Sequence, residues 1–373
     1  MSSIFAPLSD RMLADPHPVY ARLRAEDPVH WHQQLGAWVL TRHEDCTRVL
    51  KDTTTFGSDP RALGKPLPEQ VLSVQTLDPP DHTAVRHRFL AAIRRQEAAG
   101  WAENVRRVAD ELVRDATGAV DLVTDIAEPL ALRAVCALYG VPLPNDHEEL
   151  RAASRTLVLG MDSGLAPERR APSLAARETL NEMIERWRDT ARPGGVLAAV
   201  RAEDRVLRNS LRAVFDAGYS TTANLLGNAV AWLLADGPRD GAVLALDLRG
   251  AEELLRLTGP VQVVSRHCTA DVELRGRHLT RGDVVIVVLA GANRDPEVFP
   301  SPDKADFARS PNPHLALGRG THSCFGGHLG RQVLLALLNA LSTLTRLEPA
   351  GAPVRRPTAT QRGLDHLPVT LVH

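Results

Sequence analysis

LGRGTHSCFGGHLGR, residues 317–331, is the stretch that indicates most about this chain. Within it, Cys324 lies between a glycine-spaced loop and an apolar run of helical character. Gly318 and Gly320 permit loop conformations that a Cβ atom disfavours, and Gly326 leaves space for a flat, bulky group against the backbone. A thiol at a helix N-terminus is shifted toward the thiolate by the positive end of the helix dipole. The pattern therefore indicates a thiolate that suits haem iron as an axial ligand.

Three other roles for Cys324 have to be weighed. A lone cysteine is most often a small buried apolar residue. A zinc site needs about four nitrogen or sulfur ligands, whereas His322 and Cys324 supply two and the other cysteines lie far upstream. A catalytic thiol needs a nearby base, and His322 or His328 could serve, so local sequence leaves this alternative open. The length and residue density of the motif argue against all three.

The same segment resembles the haem-binding loop of the cytochrome P450 family, which usually reads F-G-x-G-x-H-x-C-x-G-x-x-L-A-R. The matching residues are Gly318, Gly320, His322, Cys324, Gly326, Leu329 and Arg331. The resemblance implies that haem b is the cofactor, that Cys324 is its axial metal ligand and that Gly326 lies beside it. Leu317 replaces the usual aromatic residue, and losing the ring that shields the thiolate implies an altered reduction potential.

The composition is that of an ordinary globular protein. The 373 residues are 44% hydrophobic and carry a formal net charge of −1, which argues against a nucleic-acid or membrane surface. No run approaches the roughly 18 apolar residues of a membrane span, and the first residues lack the apolar core of a signal peptide. Four cysteines without framework spacing favour a reducing compartment. We therefore predict a cytoplasmic protein.

No internal repeat or long Gly/Ser linker divides the chain, so we predict a single domain, residues 1–373. Helical periodicity fills most of residues 82–236. Strand-like segments are found at residues 37–40, 261–264, 272–274, 284–289 and 367–372. These patterns predict a mainly α fold with small β-sheets, and the resemblance implies the triangular helical prism of the P450 fold around a buried haem.

The longest predicted helix, residues 206–235, contains the unusual segment AGYSTT at residues 217–222. Hydroxyl side chains in an apolar helix can simply bond to carbonyls of the preceding turn. The segment also resembles the family's oxygen-binding helix, A-G-x-[D/E]-T-T. That resemblance implies that Gly218 opens a space for O2 and that Thr221 donates a hydrogen bond to it.

Ser220 stands where the family has an acid. A carboxylate can shuttle protons from solvent, whereas a serine relays a proton but holds none in reserve. Asp216 lies four residues earlier on the same helix face, and the resemblance implies that its position lines the substrate side of the pocket. Three roles for Asp216 stay open: a substitute proton source, an anchor for a polar or cationic substrate group, or a partner of a neighbouring cation.

Four basic residues are predicted to bind the haem propionates. The segment DPPDHTAVR, residues 78–86, resembles the family's D-P-P-x-H-x-x-x-R and contributes His82 and Arg86. Arg266 and His322 match a third and a fourth position. Each alone is more often a solvated charge, but arginine forks suit carboxylates and buried carboxylates need such partners.

Glu253 and Arg256 form an i,i+3 pair on a predicted helix. Most such pairs are exposed and contribute little. Here the spacing resembles the family's E-x-x-R, a buried scaffold pair, and we expect Lys304 to take the place of its usual third member, an arginine.

These resemblances imply a haem-thiolate monooxygenase that inserts one oxygen atom of O2 into a small organic substrate, with specialised metabolism as a family-level expectation. Because the chain carries no flavin or NAD fingerprint, a separate partner such as a ferredoxin and its reductase is expected to supply electrons. Ser220 leaves open non-standard oxidative chemistry, namely coupling, ring formation, rearrangement or a peroxide-driven reaction. A catalytically inactive haem-binding protein is the third alternative.

Overall fold

Helices dominate the described part of the chain, as its abundance of good helix formers predicts. The computed structural model describes residues 4–98, 100–145, 147–201, 204–236 and 246–373. Its α-helices are α1 (Asp10–Ala14), α2 (His17–Glu26), α3 (His43–Lys51), α4 (Asp81–Ala98), α5 (Trp101–Asp115), α6 (Glu128–Tyr139), α7 (His147–Gly160), α8 (Arg170–Arg188), α9 (Val196–Ala199), α10 (Arg205–Asp236), α11 (Leu248–Thr258), α12 (Leu289–Ala292) and α13 (Gly327–Leu341). In these ranges no helix has both the length and the hydropathy needed to cross a membrane.

The strands of the described ranges are short. They are β1 (Val29–His32), β2 (Ala37–Leu40), β3 (Phe56–Gly57), β4 (Gly118–Asp121), β5 (Val263–Cys268), β6 (Val272–Leu274), β7 (Arg277–Leu279), β8 (Val284–Val288), β9 (Arg346–Pro349), β10 (Val354–Arg355), β11 (Leu364–His366) and β12 (Pro368–Val372). They form sheets in the orders β1-β2-β8-β5-β3, β4-β12-β9, β6-β7 and β10-β11. Long helices with small sheets confirm the predicted fold class.

The predicted strands agree with the structure where the apolar pattern is strong. β2 and β6 have the predicted bounds, and β8 ends one residue early because Leu289 begins α12. β5 begins at Val263 and extends to Cys268, which places Arg266 inside the strand. Val261 forms only an isolated bridge with Gln361. The strands that the sequence did not reveal, such as β1 and β4, are short and partly polar, so they carry little periodic signal.

Helix α10 is central to the packing. It spans the predicted residues 206–235 with one more residue at each end, and it packs against α6, α8, α11 and α13. Its residues Leu211, Phe215, Leu226 and Val230 are buried in the main hydrophobic core. Burying each such side chain stabilises the folded state by about 1.5–3 kcal/mol. The long helix is therefore a rigid support for the residues on its other faces.

The loop before α4 is held on α10 by side-chain hydrogen bonds. Asn209 Nδ2 donates to Glu69 O at 2.7 Å and to Leu72 O at 3.0 Å. Ser210 Oγ accepts from the Val74 backbone N–H at 2.9 Å. These bonds fix the loop against the first turns of the helix.

Glu253 and Arg256 form the predicted buried pair, with both side chains fully buried. The expected third member was wrong: Arg309 Nε donates to both Glu253 oxygens at 3.2 Å. Lys304 contributes only its backbone carbonyl, which accepts from Arg256 Nη2 at 3.2 Å. A planar guanidinium donates to both oxygens of a buried carboxylate, which the single charge of a lysine does less well.

Candidate active site

An apolar cavity of about 340 Å³ lies where α10 meets the 317–331 loop. Its walls come mainly from α4, α6 and α10, the loop before α4, the start of β5 and the cysteine loop. Most of the side chains that line it are apolar, among them Val135, Val214 and Leu225. The cavity therefore joins, in one space, the cysteine motif and the hydroxyl-containing segment of α10, which lie about a hundred residues apart in sequence.

Cys324 lines this cavity, from which its side chain is accessible, and protein surrounds the thiol on its other sides. Its backbone N–H donates to Leu317 O at 2.8 Å, which closes the loop on itself. Gly318 and Gly320 have φ values of +67° and +70°, where side chains other than glycine are strained. At Gly320 a Cβ atom would also lie 2.4 Å from the Leu50 carbonyl oxygen. The loop conformation that presents the thiol thus requires glycine.

The electrostatics of Cys324 depart from the expectation for a helix N-terminus alone. Burial raises the pKa of the thiol, and this outweighs the Gly326 backbone N–H and the positive charges of Arg86 and Arg331, which lower it. A thiol in such a site becomes a thiolate when a metal cation binds the sulfur. The loop therefore suits a metal ligand better than a free nucleophile.

The predicted propionate ligands converge beside the cavity. The rings of His82 and His322 have centroids 4.2 Å apart, and Arg86 Nη2 lies 3.5 Å from Ser323 Oγ. Arg266 is buried, with 8% of its surface exposed. His82, Arg86 and His322 line the cavity itself, whereas Arg266 is not among the residues that line it.

This basic cluster has unsatisfied nitrogen atoms. His82 Nδ1 and His322 Nε2 are buried without a hydrogen-bond partner, and Asp78 Oδ1 is 3.9 Å from His322 Nε2, too far for a hydrogen bond. Burial lowers the pKa of His82 to about 4, and the charges of His322, Arg86 and Arg266 add to this effect. Unpaired buried ring nitrogens next to the arginine charges fit a cofactor with anionic groups, as haem propionates are.

Glycines give a flat group room next to the sulfur. A Cβ atom at Gly326 would lie 4.0 Å from Cys324 Sγ, in contact with the sulfur that is expected to bind the cofactor iron. Glycine keeps this space open. The Cys324 sulfur is a suitable iron ligand, the apolar walls suit the flat ring, and the basic cluster suits the propionates. The site therefore fits haem b.

On α10, Gly218, Thr221 and Thr222 line the cavity. Thr221 Oγ1 donates to Ala217 O at 2.6 Å, the back-bond of a helix hydroxyl. A Cβ atom at Gly218 would lie 3.1 Å from Val135 Cγ2, so glycine is also what lets α6 approach. Thr222 was not among the predicted site residues.

Asp216 and Ser220 are not among the residues that line the cavity. Ser220 Oγ donates to Asp216 O at 2.9 Å and accepts from Gln361 Nε2 at 3.3 Å. Asp216 Oδ1 accepts from Ser154 Oγ at 2.6 Å. The expectation that Asp216 lines the substrate side is therefore wrong for this structure. The two residues share a helix face, as predicted, but that face packs against protein.

Sequence reasoning also missed Glu252, which contacts both flanks of the cysteine loop. It accepts a 2.6 Å hydrogen bond from His314 Nε2 before the loop, and it pairs with the guanidinium of Arg331 after the loop. Burial favours the neutral acid, but the bonds from His314 and Arg331 prevail and lower the pKa of Glu252 to about 2. In the sequence, only its position next to Glu253 indicates a role for Glu252, because His314 and Arg331 are both distant from it along the chain.

Comparison with known proteins extends these observations. Residues 251–359 match the family model described as Cytochrome P450. Nocardicin C N-oxygenase of Nocardia uniformis subsp. tsuyamanensis is 32% identical over 366 residues, which cover 90% of each chain. The cytochrome P450 monooxygenase PikC of Streptomyces venezuelae is 32% identical over 395 residues, 97% of this chain and 92% of PikC.

Similarity in three dimensions is equally extensive. The crystal structure of CalO2 superposes with a TM-score of 0.87 at 31% sequence identity, and the match covers 99% of this chain and 98% of CalO2. The likeness therefore extends well beyond the cysteine loop to nearly every element of the fold.

Proposed function

The chain belongs to the cytochrome P450 family and is a P450 monooxygenase, and we propose that it inserts one atom of O2 into a largely apolar organic substrate. The observation that carries this proposal is the meeting of Cys324, the basic cluster and the Gly218–Thr221 segment on one apolar cavity. The name of the relative nocardicin C N-oxygenase supports a substrate from specialised metabolism. Residues 1–373 are proposed to act as a single domain.

Family membership implies a haem-thiolate cofactor. Cys324 would bind the haem iron through its sulfur, Gly326 would leave room beside it, and His82, Arg86, Arg266 and His322 would hold the propionates. When bound, the haem supplies the iron chemistry that activates O2, with two electrons and two protons from outside.

The other cavity residues position the substrate and handle protons. Apolar side chains such as Val214 and Leu225 exclude water from the space next to α10. Gln75 also lines the cavity and offers an amide to a polar group of the substrate. Thr221 is proposed to hold a proton at Oγ1 by turning its hydroxyl from the Ala217 carbonyl toward the cavity. A ferredoxin-type partner is proposed as the electron source.

A second candidate is oxidative coupling, ring formation, rearrangement or peroxide use. One observation favours it: the cavity-lining residues among those described include no carboxylate, so a proton reserve next to Thr221 has to come from elsewhere. Ser220 keeps this alternative open.

One experiment tests both candidates. The haem-loaded protein is screened for ligands by the shift of the Soret band, and hits are incubated with NADPH, a surrogate ferredoxin and its reductase. Insertion predicts a product heavier by one oxygen atom, labelled from ¹⁸O2. A product that gains no oxygen, or one labelled only from peroxide, supports the second candidate. Intact haem binding without turnover of any ligand would contradict both.

A further inference from the structure

A second cavity, of about 850 Å³, lies on another side of α10. It is bounded by residues 14–17, the C-terminal part of α10, the end of α11, residues 303–307, β10 and Arg362. It shares none of its lining residues with the catalytic cavity. The two sites are therefore separate spaces supported by the same helix.

Basic side chains predominate in this second cavity. Its lining includes the basic residues His17, Arg294, Lys304, Arg355 and Arg362, and the acids Asp15 and Asp303. Both acids are already engaged, since Asp303 pairs with Arg294 at 2.8 Å and Asp15 accepts from the His17 backbone N–H at 3.0 Å. Lys304 and Arg355 are exposed, and among the described residues neither has a side-chain acceptor. The lining therefore carries more positive than negative charge.

Some polar atoms of the wall are buried without partners. They include His17 Nδ1 and Arg294 Nε. Burial lowers the pKa of His17 well below its usual value, and the charges of Arg294, Arg362 and Arg355 lower it further. An unmet buried donor costs free energy, and an anion placed here would accept from such groups.

Another part of the lining is apolar and aromatic. The rings of Trp232 and Phe307 form an edge-to-face pair with centroids 6.3 Å apart, and both line the cavity together with Leu257 and Pro353. Aromatic and basic side chains around one cavity suit a molecule with an apolar body and one anionic group.

We propose that this second cavity binds a small organic anion, whose carboxylate or phosphate group is held by Lys304, Arg355 and Arg294 while its apolar body packs on Trp232 and Phe307. Arg362 is a structural member of the site, because its guanidinium donates to the carbonyls of Met12, Leu13 and Ala14. The site is independent of the chemistry at Cys324.

Phenyl phosphate and benzoate distinguish the two kinds of anionic group, and calorimetric titration of the haem-loaded protein measures their binding. Benzyl alcohol and inorganic phosphate each provide half of the proposed ligand. The Soret band is recorded in parallel, because occupation of the catalytic cavity would shift it. We expect saturable binding of at least one aromatic anion without a Soret shift, and weaker binding of both half-ligands.

The double variant Lys304→Gln/Arg355→Gln removes the two unpaired cations, and Lys51→Gln/Arg346→Gln is its control at exposed positions elsewhere. We expect the first pair to weaken binding by about tenfold, because two charge-assisted hydrogen bonds are lost, and the control pair to leave it unchanged. Trp232→Ala should weaken the aromatic anions but not inorganic phosphate. Equal affinities in both double variants, or binding that always shifts the Soret band, would overturn the proposal.

Discussion

Asp216 accepts a 2.6 Å hydrogen bond from Ser154, and this contact joins α10 to α7 inside the protein. Burial raises the pKa of Asp216, although the Ser154 bond and the charges of Arg212 and Arg177 oppose the rise. Arg212 is itself buried, with 1% of its surface exposed. Of the three roles that the sequence left open for Asp216, these charges support the partner of neighbouring cations, while the direct contact of the carboxylate is with the Ser154 hydroxyl.

We therefore expect Asp216→Asn to change the free energy of unfolding at neutral pH by less than about 1 kcal/mol, since the raised pKa means that the site disfavours the charged carboxylate and an asparagine Oδ1 still accepts from Ser154. Urea denaturation measures the change, and the exposed Asp189→Asn is the control. Product identity and the yield of product per NADPH should not change. A changed product would instead place Asp216 in the chemistry.

Cys324→Ser should abolish the thiolate-type Soret band of the reduced, CO-bound protein, because a hydroxyl is a poor substitute for a thiolate on iron. The same spectrum of Cys46→Ser, Cys136→Ser and Cys268→Ser should keep the band, since these three cysteines are buried elsewhere in the fold. Persistence of the band in Cys324→Ser would show that another residue binds the iron.

Arg86→Gln should weaken haem binding by about tenfold or more, because a buried carboxylate then lacks a cation, which costs a few kcal/mol. Haem transfer to apomyoglobin measures the affinity. Arg94→Gln, two turns further along α4 and exposed, is the matched control. Equal haem retention in both variants would count against the propionate assignment.

Thr221→Ala should lower the yield of product per NADPH several-fold, because it removes from the cavity wall the hydroxyl that is proposed to turn toward the cavity. Thr156→Ala on α7 removes the same kind of back-bond, from Oγ1 to Ala152 O at 2.9 Å, at a half-buried position that does not line the cavity. It should leave the yield unchanged. Equal yields in both variants would restrict Thr221 to a structural role.

The Glu252 contacts predict a specific dependence of stability on pH. Because the pKa of Glu252 is lowered from 4.5 to about 2 in the folded protein, its contribution is complete above pH 4.5 and is lost as the pH falls toward about 2. Glu252→Gln should remove about 1–3 kcal/mol at neutral pH and flatten the acid side of the stability profile. Parallel pH profiles of variant and parent would contradict this expectation.

Glycine spacing and helical periodicity, both local patterns, were enough to predict the cysteine loop and helix α10. The glycine spacing around Cys324 predicts a loop that only glycine can form, and Gly320 meets that demand through both its φ and its contact with Leu50. The periodicity of residues 206–235 predicts α10 to within one residue at each end. Both follow from short-range sterics and burial, which act between neighbours in the chain.

Tertiary structure decided which distant groups meet. Sequence spacing places Asp216 and Ser220 on one face of α10, but only the contacts with Ser154 of α7 and with Gln361 show that this face is turned from the cavity. Likewise, the side chain of Arg309 and not that of Lys304 contacts Glu253. Both residues lie in a loop, and the path of the loop decides which side chain points toward the carboxylate. The helical period determines which residues share a face of the helix. What that face packs against depends on contacts between segments far apart in the chain.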